Sequence, residues 1–408
     1  MGYTRQAFIG FSWMSGFRMS TRAITFLRII ILARLLSPAQ FGIFGIATLV
    51  LSFLEIVTET GINAFLIQEK KEIKEYINEA WFISIIRGIT LFVLLIVFSS
   101  LVAAFFHAPD AGRIILALSL VPLIKGFINP AIVQYQKDLQ FQKEFFLRFS
   151  VFLFDSAVVI LLAFLTHDVV SFVYGFIAGA MLEVLLSFLL IRLRPKLVFR
   201  FGATKEILHR GKWITLFGVF NFLAQEGDNI VVGRLLGTGS LGIYQMGYKL
   251  STLPISEISD VINKVIFPVY TQFSTDTARL MRAFVRTSTV VAAVVVVFGL
   301  FLLFLPKEVF IYLLGEQWSD VITILPILIV YGMLRAIIGS TASFFLSVKK
   351  QNQIAAMTFA RLFVLAITIF PLITAYGIQG AAISALLSVV VEIPFVIFFV
   401  RKFVKNIS

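Results

Sequence analysis

Long apolar runs separated by short basic segments dominate this chain. Runs of about twenty residues or more, the length a helix needs to cross a bilayer, fall near 8–34, 40–66, 80–106, 111–135, 145–166 and 169–192. A second set falls near 211–236, 240–272, 284–305, 320–347, 353–374 and 378–400. The pattern predicts twelve transmembrane helices, six per half. The halves also repeat one another. Trp13, Phe17, Ala33-Arg34-Leu35-Leu36 and Gly42-Ile43-Phe44 recur 200 positions later as Trp213, Phe217, Gly233-Arg234-Leu235-Leu236 and Gly242-Ile243-Tyr244, without a gap. An even number of spans per half gives both repeats one orientation, with a pseudo-two-fold axis along the membrane normal. The expected fold is an all-α integral membrane protein of two pseudo-symmetric six-helix bundles around a central cavity.

Composition agrees. Of 408 residues, 59% are hydrophobic and 14% charged, with mean hydropathy +0.97, whereas soluble domains carry about 25% charged residues. A soluble fold of this length lacks the interior to bury so much apolar side chain. The absence of cysteine excludes disulfides, iron–sulfur clusters and thiolate metal sites. No signal peptide is expected, because the start lacks a short apolar core followed by a small-residue cleavage site.

The net charge of +13 suggests nucleic acid until the charges are located. With the N-terminus in the cytoplasm, nearly every basic residue outside the spans falls inside, from Lys70, Lys71 and Lys74 through the Arg192–Lys212 cluster to Arg401, Lys402 and Lys405. Only Arg34, Arg113 and Lys307 fall outside. The positive-inside rule then places both termini in the cytoplasm. The basic excess serves orientation and contact with anionic membrane lipids, and no nucleic-acid partner is expected. The domain reading is a first bundle over 1–192, a cytoplasmic amphipathic linker over 193–212, and a second bundle over 213–408. In the outer segment of about 306–320, Leu313–Trp318 is expected to form a short interfacial helix, with Trp318 at headgroup level.

Ionisable residues within membrane spans are costly, and they face a bundle interior or a wet cavity. At about 100° per residue, Ser15, Arg18, Thr21, Arg22, Thr25 and Arg28 of the first span share an arc of roughly 140°. In the repeat-equivalent seventh span, Asn221, Gln225, Asp228 and Asn229 share about 100°. Thr21, Thr25 and Arg28 align with Asn221, Gln225 and Asp228, so the halves turn the same face inward. A second pair of stripes follows, Thr48, Ser52, Glu55, Thr58, Glu59 and Asn63 in the second span, and Gln245, Lys249, Thr252, Ser256, Asp260, Asn263 and Lys264 in the eighth. Four such stripes predict a water-filled cavity between the bundles. Polar residues in membrane helices also act as cross-pairing glue, the bland reading for the isolated Lys125, Asp155, Glu183 and Arg361.

Enzyme signatures are absent. His107, His167 and His209 are isolated, so no metal cluster is expected. Gly211-Lys212 lacks the flanking residues of a P-loop. The reading is a non-enzyme without cofactors.

Leu32-Ala33-Arg34-Leu35-Leu36-Ser37-Pro38-Ala39-Gln40-Phe41-Gly42 and Gly61-Ile62-Asn63-Ala64-Phe65-Leu66-Ile67-Gln68 resemble the opening of prokaryotic polysaccharide transporters. These are the Wzx-type oligosaccharide flippases of the multidrug/oligosaccharidyl-lipid/polysaccharide (MOP) superfamily. Asp138-Leu139-Gln140-Phe141, Leu241-Gly242-Ile243-Tyr244, Ile266-Phe267-Pro268 and Leu314-Gly315-Glu316-Gln317-Trp318 extend the resemblance over nearly the whole chain. Many relatives have fourteen spans, where this chain has room for twelve.

The resemblance implies a bacterial cytoplasmic-membrane flippase of alternating access. It would carry a polyprenyl-pyrophosphate-linked oligosaccharide, an O-antigen, capsule or exopolysaccharide unit, from inner to outer leaflet, with polysaccharide polymerase and chain-length machinery as partners. In that frame Arg18, Arg22, Arg28, Asn221, Gln225, Lys249 and Lys264 are candidate substrate-binding residues of the cavity. Arginine suits a phosphate because its fork is planar and bidentate. Glu59, Asp228 and Asp260 are candidate ion-coupling residues. A drug/cation antiporter of the same superfamily and a non-transporting scaffold of polysaccharide assembly remain open alternatives.

Overall fold

A computed structural model gives the chain an all-helical fold. It describes residues 3–62, 66, 73–138, 140–197, 201–273 and 276–405, without the side chains of 3–15, 17–19, 201–217, 253–254, 256–265, 268 and 405. The helices are α1 (Tyr3–Leu35), α2 (Pro38–Val57), α3 (Ile77–Phe105), α4 (Pro109–Leu118), α5 (Leu120–Lys125), α6 (Gln134–Lys137), α7 (Phe141–Thr166) and α8 (Val170–Leu190). They continue as α9 (Phe201–Gln272), α10 (Thr277–Phe304), α11 (Lys307–Leu314), α12 (Val321–Ser347), α13 (Gln351–Val390) and α14 (Glu392–Lys405). The chain divides into two compact units, one ending at Phe220 and the other starting at Asn221.

Among the described residues, seven helices are long and apolar enough to cross a membrane, or up to eight if the bent pair Pro109–Lys125 and Pro130–Lys137 is one span. The chain is therefore a multi-pass membrane protein. The striped α1 and α9 are not among the seven. Several expected spans instead share one helix or break inside. α9 is interrupted at Gly237 (φ 81, ψ −179), a backbone conformation that side chains with a Cβ disfavour. α13 breaks at Gly377 (φ 57, ψ −133), and there the chain folds back. A Cβ on Gly380 would collide with the Leu372 carbonyl, and the Thr368 and Ser384 hydroxyls meet at 2.7 Å across the hairpin.

Other boundaries depart from the apolar pattern. The run expected over 40–66 stops being helix at Val57, and Gly61 adopts φ 69. Thr58 is thus a C-cap and Glu59 lies in the following turn. The run expected over 111–135 bends by 71°, because Asn129-Pro130 restarts the helix. Asn129 is fully buried, donates its N–H to Ser187 Oγ at 3.1 Å, and accepts from the Ala131 N–H at 3.0 Å. Where the sequence predicts a short helix over Leu313–Trp318, α11 lies earlier, Glu316–Trp318 forms a 3-10 turn, and Trp318 is 1% exposed. Its indole packs into the protein.

Burial is inverted relative to a soluble fold. α3 exposes Ile86, Ile89, Val93, Val97 and Leu101, and α10 exposes Val290, Val294, Val297 and Phe301, as lipid-facing helices must. Helices pack through small residues, which let backbones approach closely in hydrocarbon. On α8, Gly175 and Gly179 lie against Asp155 and Val159 of α7, and a Cβ on Gly175 would run into Val159. Gly88 of α3 and Gly126 after α5 cross in the same way.

Candidate functional site

In the first unit, α1 lies against α7, and its stripe meets a carboxylate there. Arg28 donates to Asp155 Oδ1 at 2.9 Å and to Ser156 Oγ at 3.1 Å, with its guanidinium 5.6 Å from the Phe152 ring centre. Ser156 also donates to Asp155 at 3.1 Å. The side chains of Arg28 and Asp155 are 15% and 18% exposed. One turn and a half earlier, Arg22 is exposed, while Thr25 turns its hydroxyl back onto the Thr21 carbonyl at 2.7 Å.

A cavity of about 260 Å³ opens between α2, α3, α5, α7 and α8, lined by Glu55, Glu59, Arg87, Lys125, Arg148 and Glu183 together with Ser84. Arg87 organises it. Its Nη2 donates to the Glu55 carbonyl at 2.8 Å and to Glu59 Oε2 at 3.2 Å, and its Nε to Thr58 Oγ1 at 3.3 Å. Glu59 also accepts the Gly61 N–H at 2.9 Å. Arg87 thereby places a cation on the unsatisfied carbonyl end of α2, where the helix dipole favours one. The space is polar but charge-balanced.

The second unit has a drier cluster. α9 turns at Gly237 so that Tyr244 donates to Asp228 Oδ2 at 2.7 Å, and the Asn229 N–H donates to Oδ1 at 2.8 Å. Asp228 is 4% exposed. Asn229 Nδ2 donates to Glu226 at 2.8 Å. One turn beyond Tyr244, Tyr248 meets Tyr331 of α12 oxygen to oxygen at 3.1 Å. Further along, Glu392 at the start of α14 lies 3.6 Å from Arg361 of α13 and 4.0 Å from Arg335 of α12. Arg361 and Glu392 have side chains only 3% and 4% exposed.

The structure brings together only part of the expected set. Arg28 is committed to Asp155, Gln225 donates to Asn221 at 3.0 Å, and Asp228 is committed to Tyr244. Arg22 is exposed and Lys249 half-buried. Glu59 is held by Arg87. The side chains of Arg18, Lys264 and Asp260 lie outside the described residues, as do those of Ser15, Ser256 and Asn263, and Asn63 as a whole. Sequence reasoning passed over Arg87, Glu226, Tyr248, Arg335 and Glu392. The lone Asp155 and Arg361, weighed as glue, do pair as glue would.

The described residues form two compact units of apolar helices with charged pairs turned inward. That fold is shared with solved structures. Lipid II flippase MurJ in its inward closed conformation superposes with a TM-score of 0.76 at 15% identity, over 95% of this chain and 87% of that one. A multidrug resistance MATE family transporter of the MOP superfamily, inward-facing, gives 0.71 at 16% identity, over 97% of this chain and all of that one. Residues 31–323 match the family described as polysaccharide biosynthesis protein, and the chain belongs to that family. Its relatives include the lipopolysaccharide biosynthesis protein WzxC of Escherichia coli (strain K12), 24% identical over 309 residues. They also include the teichuronic acid biosynthesis protein TuaB of Bacillus subtilis (strain 168), 24% identical over 365 residues, which cover 84% of this chain and 72% of TuaB. The match to WzxC covers 75% of this chain and spans 63% of the length of WzxC.

Proposed function

We propose that this chain is a flippase that carries a polyprenyl-pyrophosphate-linked oligosaccharide from the inner to the outer leaflet of the bacterial cytoplasmic membrane. Membership of the polysaccharide biosynthesis family, on a fold shared with a flippase of lipid II, carries this reading. In the full proposal both termini are cytoplasmic, twelve spans form the two bundles, and the stripes of the first, second, seventh and eighth spans face a common cavity that opens to each side in turn. The linker over 193–212 lies on the inner leaflet.

A pyrophosphate cannot cross hydrocarbon unless cations replace its water. The charges on the α1 stripe are all cationic, and Arg18 and Arg22 are four positions apart in sequence, the spacing at which two forks can take one pyrophosphate. Arg28, Asn221, Gln225, Lys249 and Lys264 complete the cavity, with amides for the sugar hydroxyls. Asp228 is the favoured ion carrier, ahead of Asp260. Glu59 is the weakest of the three because Arg87 already neutralises it. Transport involves no bond-breaking step, and polymerase and chain-length proteins receive the product.

Proteoliposomes containing the purified chain test this directly. A fluorescent polyprenyl-pyrophosphate-linked oligosaccharide should become accessible to an external quencher far faster than in protein-free vesicles. A lipophilic drug cation should not move. Cation transport without lipid translocation would replace the flippase with an antiporter, and movement of neither would favour the scaffold.

A further inference from the structure

A basic cavity of the first unit is not used by this mechanism. About 1020 Å³ in volume, it lies where α3 begins, α6 ends, α7 begins and α8 ends, all on one face of the bundle. Its rim carries Lys74, Lys137, Lys143 and Arg192 against one carboxylate, Asp138. Its floor is apolar, with Ile73, Ala131 and Ile191 buried in one cluster. The next carboxylate along α7, Glu144, accepts from Arg148 at 2.8 Å and also from Gln136. The rim is therefore strongly cationic.

The walls are held in place. Tyr135 donates its hydroxyl to the Leu190 carbonyl at 3.3 Å, and the Lys143 ammonium lies 5.8 Å from its ring centre. The buried Asn129 donates to the Leu193 carbonyl at 2.7 Å, and the Lys196 N–H donates to Asn78 Oδ1 at 2.7 Å. These bonds tie the segment leaving α8 across the other helix ends. Beside the cavity, Leu189 and Leu190 are 68% and 51% exposed, an apolar track leading from the rim to the lipid-facing surface.

We infer that this cavity holds the phosphodiester headgroup of an anionic phospholipid, with an acyl chain running along the Leu189–Leu190 track. Basic pockets between helix ends recognise lipid phosphates through charge and shape together. A free phosphate would use the rim and leave the floor and track idle, and this favours a lipid as the source. The inference concerns the inner leaflet only if the orientation proposed above holds, but the binding itself does not depend on orientation or on transport.

The test is a titration of dihexanoyl phosphatidylglycerol into the full chain in detergent, followed by thermal shift. Saturable stabilisation is expected with phosphatidylglycerol and not with dihexanoyl phosphatidylcholine. K137Q/K143Q/R192Q should weaken it roughly a hundredfold. K137R/K143R should retain it, and R282Q/R286Q/R401Q, which removes as many exposed charges elsewhere, should bind as the wild type does. Equal response to phosphatidylcholine, or loss in the R282Q/R286Q/R401Q control as well, would overturn the inference. Inorganic phosphate giving the same shift would overturn the lipid as the source. Farnesyl pyrophosphate displacing phosphatidylglycerol at far lower concentration would instead make the cavity a loading point for the transport substrate. A flippase assay that fails while this titration succeeds would count against the proposed function alone.

Discussion

The two units solve the same structural problem with opposite charges. Positions 28 and 228 are equivalent in the repeat, as are 37 and 237, and 44 and 244. In the first unit, Arg28 reaches across to Asp155 on α7 at 2.9 Å, and Phe44 stacks on Phe172 at 4.3 Å and 14°. In the second, Asp228 takes a hydroxyl from Tyr244 within its own helical hairpin at 2.7 Å. The aromatic carries a hydroxyl in the unit where the inward charge is an acceptor. The turn differs too. Ser37 starts α2 with a capping box, its hydroxyl accepting the Gln40 N–H and Gln40 reaching back to the Ser37 N–H. Its counterpart Gly237 makes the turn through a positive φ of 81°. Each unit has its own partner for the charge at the equivalent position, Asp155 for Arg28 and Tyr244 for Asp228.

The largest effect expected from breaking this comparison is in the first unit. Arg28→Ala leaves Asp155 unpaired in a nearly dry site, so a loss of about 3–5 kcal/mol is expected, read as a lowered unfolding midpoint in detergent. The swap Arg28→Asp with Asp155→Arg should recover much of it. If the swap is as damaging as the single change, the pair is not what holds α1 to α7. In the second unit, Tyr244→Phe removes one of two donors to Asp228 and should cost about 1–3 kcal/mol. A double-mutant cycle with Asp228→Asn should show the two changes strongly coupled. Additive losses would mean that the 2.7 Å contact contributes little. The turns give the smallest pair. Gly237→Ala forces a Cβ into a positive-φ, extended-ψ conformation that is essentially glycine-only and should cost about 1–2 kcal/mol, whereas Ser37→Ala loses a cap for about 1 kcal/mol. Equal sensitivity at both turns would erase the distinction between them.

The apolar runs were legible because a bilayer imposes them locally, run by run. What escaped sequence reasoning depends on long-range register. Nothing within Ile77–Phe105 marks Arg87 as the residue that would cap α2, since its partners lie 28 to 32 positions earlier. The Arg28–Asp155 pair spans 127 positions. The end of α2 at Val57 was hidden because apolar residues continue past it to Ile62 and Leu66. The role of Tyr244 had a usable signal. Reading Phe44 against Tyr244 alongside Arg28 against Asp228 shows two coordinated changes one hairpin apart, which the repeat alignment already contains.

Arg18 and Arg22 lie four positions apart in α1, and the proposed flippase places the pyrophosphate of its substrate there. The most direct test is the translocation rate of a polyprenyl-pyrophosphate-linked oligosaccharide in proteoliposomes containing Arg22→Ala, compared with wild type at equal protein and unchanged unfolding midpoint. The account predicts that transport is nearly abolished, and that Arg22→Lys restores only part of it because an ammonium lacks the bidentate fork. Wild-type rates in Arg22→Ala would contradict it.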